Sequence, residues 1–153
     1  MAFLQAYIPT TTVALAASTA KTVIGAAAAA NQAIKILEQK VSHDGATSTN
    51  APDLTEFGRC TFAGAGTSTS VTPSKKDPGR QETIQTTGTK NYSAEPTVIT
   101  AIDPGNTPQY NGLYHYITPD SRTLVVPGGQ GWVIRLTSPN VVNACARVEF
   151  EEM

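Results

Sequence analysis

The stretch VNACARVEF, residues 142–150, alternates without a break: Val142, Ala144, Ala146, Val148 and Phe150 fall on one side, and Asn143, Cys145, Arg147 and Glu149 on the other. An extended chain that buries one face and wets the other shows this period of two, so the stretch predicts a half-buried antiparallel strand. Just upstream, residues 131–137 set Arg135 between Ile134 and Leu136. That pattern predicts a second strand whose outer face meets water or a polar partner.

Working back toward the N-terminus, short β-favouring runs recur at residues 124–126, 114–117, 97–102, 83–87, 70–74 and 54–62. Between them stand Gly64-Ala65-Gly66, Asp77-Pro78-Gly79, Asp103-Pro104-Gly105-Asn106, Asn111-Gly112, Pro119-Asp120, Pro127-Gly128-Gly129 and Pro139-Asn140. Each is a turn composition: proline presets φ, glycine tolerates positive φ, and Asn or Asp bonds its own backbone. Breakers at this frequency leave little room for helices and predict an all-β, antiparallel β-sandwich or jelly roll. The Gly/Ser/Thr-rich residues 63–80 are expected to be partly a mobile excursion.

Two segments are ambiguous. Residues 25–41 combine an alanine run with Ile34, Leu37 and Val41 at helical spacing, yet Ile34 and Ile36 alternate with Lys35 and lead into Ser42-His43-Asp44-Gly45, a turn signal. Helix and strand both fit. Residues 1–20 carry no charge, and Phe3, Leu4, Tyr7, Ile8, Val13 and Leu15 follow neither a helical stripe nor a long alternation. They are expected to form an extended N-terminal arm, lying on the chain's own domain or on a neighbour, ahead of a sandwich domain over residues 21–153.

The 153-residue chain has 11 Lys and Arg against 12 Asp and Glu, a formal net charge of −1. No whole-chain positive excess exists for phosphate or anionic lipid, so nucleic acid is not an expected partner. The most apolar stretch, residues 13–30, is broken by Ser18, Thr19, Lys21, Thr22 and Gly25. It does not read as a bilayer span, no basic n-region marks a secretory signal, and a soluble protein without a membrane partner is expected. The charged fraction of 15% lies below the roughly 25% of ordinary soluble domains, a surface suited to contact with partners. Cys60 and Cys145 match neither a paired CxxC spacing nor a dense disulfide framework, and read as reduced thiols.

Chemistry-bearing motifs are sparse. His43 and His115 have no recognisable nucleophile or ligand set at a fixed spacing. There is no G-x-S-x-G and no H-E-x-x-H, and Gly128-Gly129-Gln130-Gly131 lacks the Lys-Ser/Thr ending of a phosphate loop, so it reads as a tight hairpin. No catalytic, cofactor-binding or metal-binding residue is therefore expected. Contact residues are easier to name. Phe3, Leu4, Tyr7 and Ile8 belong to the arm, Tyr110, Tyr114, Tyr116 and Trp132 are aromatic anchors, and Arg135 and Arg147 are expected on neighbouring strands with both guanidinium forks on one polar face. For the aromatics, core filling, protein contact and glycan stacking are all open.

Several segments together resemble small structural proteins from the head-gene regions of tailed bacteriophages, of the capsid decoration (cement) type. The resemblance lies in Lys21-Thr22-Val23, in Ala33-Ile34-Lys35-Ile36-Leu37-Glu38 running into Val41-Ser42-His43-Asp44-Gly45, and in Glu82-Thr83-Ile84-Gln85-Thr86-Thr87 with Ala94-Glu95-Pro96-Thr97. It continues in Val125-Val126-Pro127-Gly128-Gly129, Ile134-Arg135-Leu136 and Val148-Glu149-Phe150-Glu151-Glu152. It spans most of the chain after Lys21 and consists of strands and turns, not an active-site signature. It implies a strand and hairpin over residues 34–45, a β-sandwich or jelly roll, and a homo-oligomer, a trimer being one form. It further implies a place on the virion's capsid surface bound to the major capsid protein, stapling neighbouring capsomers, with no enzymatic activity. A receptor- or glycan-binding module of a phage tail or fibre is the alternative, using Tyr110, Tyr114, Tyr116 and Trp132.

Overall fold

The computed structural model describes residues 3–44, 49–97, 99–110, 112–119, 121 and 123–153. Gly45, Asn111 and Asp120, expected in turns, and Met1 and Ala2 of the expected arm lie outside the described residues. Among those described there are strands and no helix. In chain order the strands are β1 (Leu4–Pro9), β2 (Val13–Leu15), β3 (Ala20–Ala27), β4 (Ile34–His43), β5 (Asp53–Cys60), β6 (Thr69–Val71) and β7 (Ser74–Lys75). There follow β8 (Thr87–Lys90), β9 (Thr100–Thr107), β10 (Leu113–Ile117), β11 (Val125–Val126), β12 (Gly131–Thr137) and β13 (Val142–Glu152).

They form two antiparallel sheets, an all-β sandwich. The first runs β10-β4-β13-β1-β7, with β11 also on β4 and β2 on β13; the second runs β6-β8-β3-β12-β5-β9. The alternation of residues 142–150 is realised as expected, since Val142, Ala144, Ala146, Val148 and Phe150 are all buried. Between the sheets they meet Trp132, Ile134 and Leu136 of β12, Phe57 of β5 and Ile36 and Val41 of β4. Burying side chains of this size contributes roughly 1.5–3 kcal/mol each. The ambiguous residues 34–43 form the strand β4, paired on both sides. Its apolar alternation finds a core face there, and tertiary pairing overrides helix propensity.

The expected arm is not present as an arm. Residues 4–9 form β1, paired in register with β13 from Leu4 opposite Glu152 to Pro9 opposite Arg147, and with β7 on its other side. Leu4, Ala6 and Ile8 enter the core, followed by Val13 and Leu15 from β2. The alternation was masked because one inward position is the small Ala6 and an outward one is the aromatic Tyr7. Residues 63–80 are likewise partly ordered as β6 and β7.

Two turn readings also change. Asp103-Pro104-Gly105-Asn106 lies inside β9, which pairs only with β5. An edge strand tolerates a proline whose missing N–H would have faced outward. Residues 127–130 do form a tight turn, with the Gln130 N–H donating to the Pro127 carbonyl (3.2 Å) and Gly129 at φ 77°. It is no hairpin, however, because it carries the chain from β11 in the first sheet to β12 in the second.

Candidate binding surface

The chain crosses between sheets at one flank, from the edge strand β9 to the edge strand β10. In β10, Tyr114 and Tyr116 are half-buried, while Leu113, His115 and Ile117 are exposed. Leu113 and Ile117 are 59% and 62% exposed, and Tyr110, just before the strand, is 63% exposed. Ile102 on β9 is 43% exposed. The flank thus exposes several large apolar side chains, with His115 between Leu113 and Ile117 and with Lys40 and Glu38 of β4 opposite His115 and Ile117.

Behind this surface the flank is closed by specific contacts. The Tyr114 ring packs against Phe57 (centroids 5.0 Å apart, tilted 40°), and its hydroxyl donates to Asp103 Oδ2 at 2.8 Å. Burial, reinforced by the Asp103 carboxylate, pushes the Tyr114 phenol up to about 12. Beside it lies a cavity of about 260 Å³ lined by Gln39, Ile102, Asp103, Tyr116, Thr118 and Trp132. Trp132 is 1% exposed and donates its indole N–H to Gln39 Oε1 (2.7 Å).

The crossover itself is anchored by a buried polar network. Gln109 Nε2 donates to Asp53 Oδ1 (2.6 Å) and to Ser138 Oγ (3.0 Å), and the opposite oxygen of Asp53 meets His43 Nε2 at 2.7 Å. The His43 and Asp53 side chains are fully covered. Serine, histidine and aspartate therefore lie close together, but they are not wired for nucleophilic catalysis. Ser138 is fully buried, and its hydroxyl donates to the Asn140 carbonyl (2.7 Å) and accepts from Gln109 instead of facing His43. A nucleophile needs its base in hydrogen-bond contact and a path to substrate. The arrangement ties β4, β5 and the β9–β10 and β12–β13 connections together. His43, read from sequence as a turn residue, is thus an interior anchor.

Charged groups elsewhere pair with one another. Arg135 grips Glu56 in bidentate fashion (2.8 and 2.9 Å), and this contact holds its guanidinium above the ordinary arginine range. Arg147 bonds Glu149 (2.9 Å) and lies over the Tyr7 ring at 4.7 Å, while Lys76 also reaches Glu149. Lys40 bonds Glu38 at 2.8 Å, which holds that carboxyl below its usual range, and His115 Nε2 stands 3.3 Å from Glu38.

On the outer side of the second sheet, Phe62 and Tyr92 stack with centroids 5.9 Å apart. Gly25 and Gly131 leave room beneath them, and a Cβ at Gly25 would stand 2.6 Å from the Tyr92 hydroxyl. Cys60 is buried at that end of β5, and burial pushes its thiol up to about 12; Cys60 and Cys145 are both free cysteines. Among the described residues no group of three or more His, Cys, Asp or Glu is placed to hold a metal. No helix among them is long and apolar enough to cross a membrane.

The expected contact residues are therefore dispersed. Leu4, Ile8 and Trp132 are core, whereas Phe3 (46% exposed) and Tyr110 are on the surface. Tyr7 and Arg147 stack on the outer face of the first sheet. Tyr114 and Tyr116 line the closed interior of the flank, so the four aromatics do not form one exposed platform. Arg135 and Arg147 do not share a face, because β12 and β13, adjacent in sequence, belong to different sheets. Leu113 and Ile117 went unread because LYHYI alternates two faces of similar polarity, and period alone does not say which one is buried.

Comparison of the chain with family models, with curated proteins and with solved structures returns no match.

Proposed function

We propose that the chain is a virion structural protein that decorates the assembled capsid of a tailed bacteriophage, binding the major capsid protein on the capsid surface and stapling neighbouring capsomers without a catalytic step or cofactor. The observation that carries this reading is the exposure of Tyr110, Leu113, Ile117 and Ile102 along one flank of a sandwich whose Arg135, Arg147, Lys40 and Lys76 are already paired internally. Apolar side chains give contact area with little desolvation to offset. The sequence resemblance to decoration proteins points the same way. Each copy needs only a modest interface, since many copies on a symmetric lattice add their contributions.

The test is co-sedimentation with purified full heads. Saturable binding in lattice-like stoichiometry, lost in Leu113→Lys/Ile117→Lys, is the expected result; absence of the protein from the head fraction overturns the reading. A second reading, a receptor- or glycan-binding module of a tail or fibre, draws on the cavity beside Tyr116 and Trp132. A glycan array separates the two, because only the second reading expects saturable sugar binding.

A further inference from the structure

We propose that β10 is a self-pairing edge: two copies join antiparallel through this strand about a two-fold axis at His115, making one continuous sheet across the dimer.

Three observations converge. First, β10 is the one edge, among the described strands, without a device against pairing. At the sheet edges stand β10 and β11 beside β4, β7 beside β1, β2 beside β13, and β6 and β9 in the second sheet. β7 and β11 have two residues each, and β7 includes a lysine; β2 and β6 have three each; and β9 contains Pro104 and a register irregularity against β5. β10 runs five residues, LYHYI, with no proline, glycine, lysine or bulge. Short strands, lysine, proline and bulges are how sheet edges are kept from pairing.

Second, its hydrogen-bonding groups point outward in a usable pattern. The Thr118 N–H donates to the Leu37 carbonyl at 2.8 Å, in step with the register that sets Ile117 opposite Glu38. In an antiparallel ladder the bonded residues alternate, so Tyr114 and Tyr116 face β4 while Leu113, His115 and Ile117 turn N–H and C=O toward the open side.

Third, the strand is nearly its own mirror. Centred on His115, the order Leu-Tyr-His-Tyr-Ile reads as apolar, tyrosine, histidine, tyrosine, apolar in both directions. A two-fold contact is isologous and requires such self-complementarity. In this register Leu113 faces Ile117 of the second copy on the outer side, and Tyr114 faces Tyr116 of the second copy on the inner side. The backbone groups of His115, Leu113 and Ile117 bond their counterparts. Side chains stand perpendicular to the sheet, so on the outer side two Leu113–Ile117 pairs flank a central pair of His115 side chains.

This pairing does not rest on the capsid reading, and its test uses the isolated protein. Sedimentation equilibrium at micromolar concentration should give twice the 16.1 kDa chain mass. His115→Pro removes the central N–H while sparing the bonds to β4, and should raise the dimer dissociation constant at least tenfold with the thermal melt preserved. In a Cys145→Ser background, His115→Cys should form a disulfide-linked dimer under mild oxidation, because directly paired residues lie about 5.5 Å apart, within disulfide range. Leu113→Cys alone should not cross-link, whereas Leu113→Cys with Ile117→Cys should. A monomer at all concentrations, a trimer, or cross-linking through Leu113→Cys alone overturns the proposal. Failure to bind heads bears only on the function proposed above.

Discussion

The two ends of the first sheet are built on opposite principles. At one end β7 offers two residues, Ser74 and Lys75, with Lys75 Nζ donating to the Arg80 carbonyl (2.8 Å) and Lys76 drawn back onto Glu149. Little ladder is left for another chain, and charge guards what remains. At the other end β10 keeps five unbroken residues with Leu113 and Ile117 in solvent. Both ends face the same energetic problem of unpaired N–H and C=O groups. One is closed within the chain and the other is left for a second chain, so substitutions on the closed side should act on stability and those on the open row on association.

The largest effect should come from beneath the open flank. Asp53→Ala leaves His43 buried without its carboxylate and removes the anchor of Gln109, which should cost about 3–5 kcal/mol in chemical denaturation. A loss below about 1 kcal/mol would mean that the crossover is not held there. Next, on the closed side, Ile8→Ala empties a fully buried site in β1 and should cost about 2–5 kcal/mol with no change in association. Retention of stability would return residues 4–9 to the status of a dispensable arm.

Tyr114→Phe should cost about 1 kcal/mol, the hydrogen bond to Asp103. It should also change the alkaline limb. The folded phenol titrates at about 12, against the usual 10, so the unfolded chain releases that proton first and stability falls as pH rises from about 10 to about 12. The phenylalanine variant should show a shallower fall over that window by urea melts. Ile117→Lys, in the open row, should change stability by no more than about 0.5 kcal/mol while abolishing the dimer. A large destabilisation would show that the row is structural and erase the contrast.

Much of the fold is legible in the residues. The alternation at 142–150 predicts the central strand β13, and the density of Gly, Pro, Asn and Asp predicts antiparallel sheets. The surface is less legible. Tyr114 and Leu113 differ little in hydrophobicity, so which of two alternating sets faces outward depends on what packs behind the strand. Trp132, a natural anchor for a partner, spends its indole N–H on Gln39 from the other sheet, 93 residues away. The Asp53 network draws on four separate chain segments, and no local spacing encodes it.

What the amino-acid order settles by itself is local. It sets which residues share a side of each strand, where the chain must turn, and that no excess charge or recognisable catalytic motif exists, because period, φ preference and charge are properties of neighbouring residues. Only the tertiary structure decides which strands become partners. It places β12 and β13 in different sheets, draws residues 4–9 into the middle of one, and leaves β10 at an edge. Partner choice follows from contacts between distant segments, made once their loop-closure entropy is met by shared burial, and no window of sequence contains both sides of that balance.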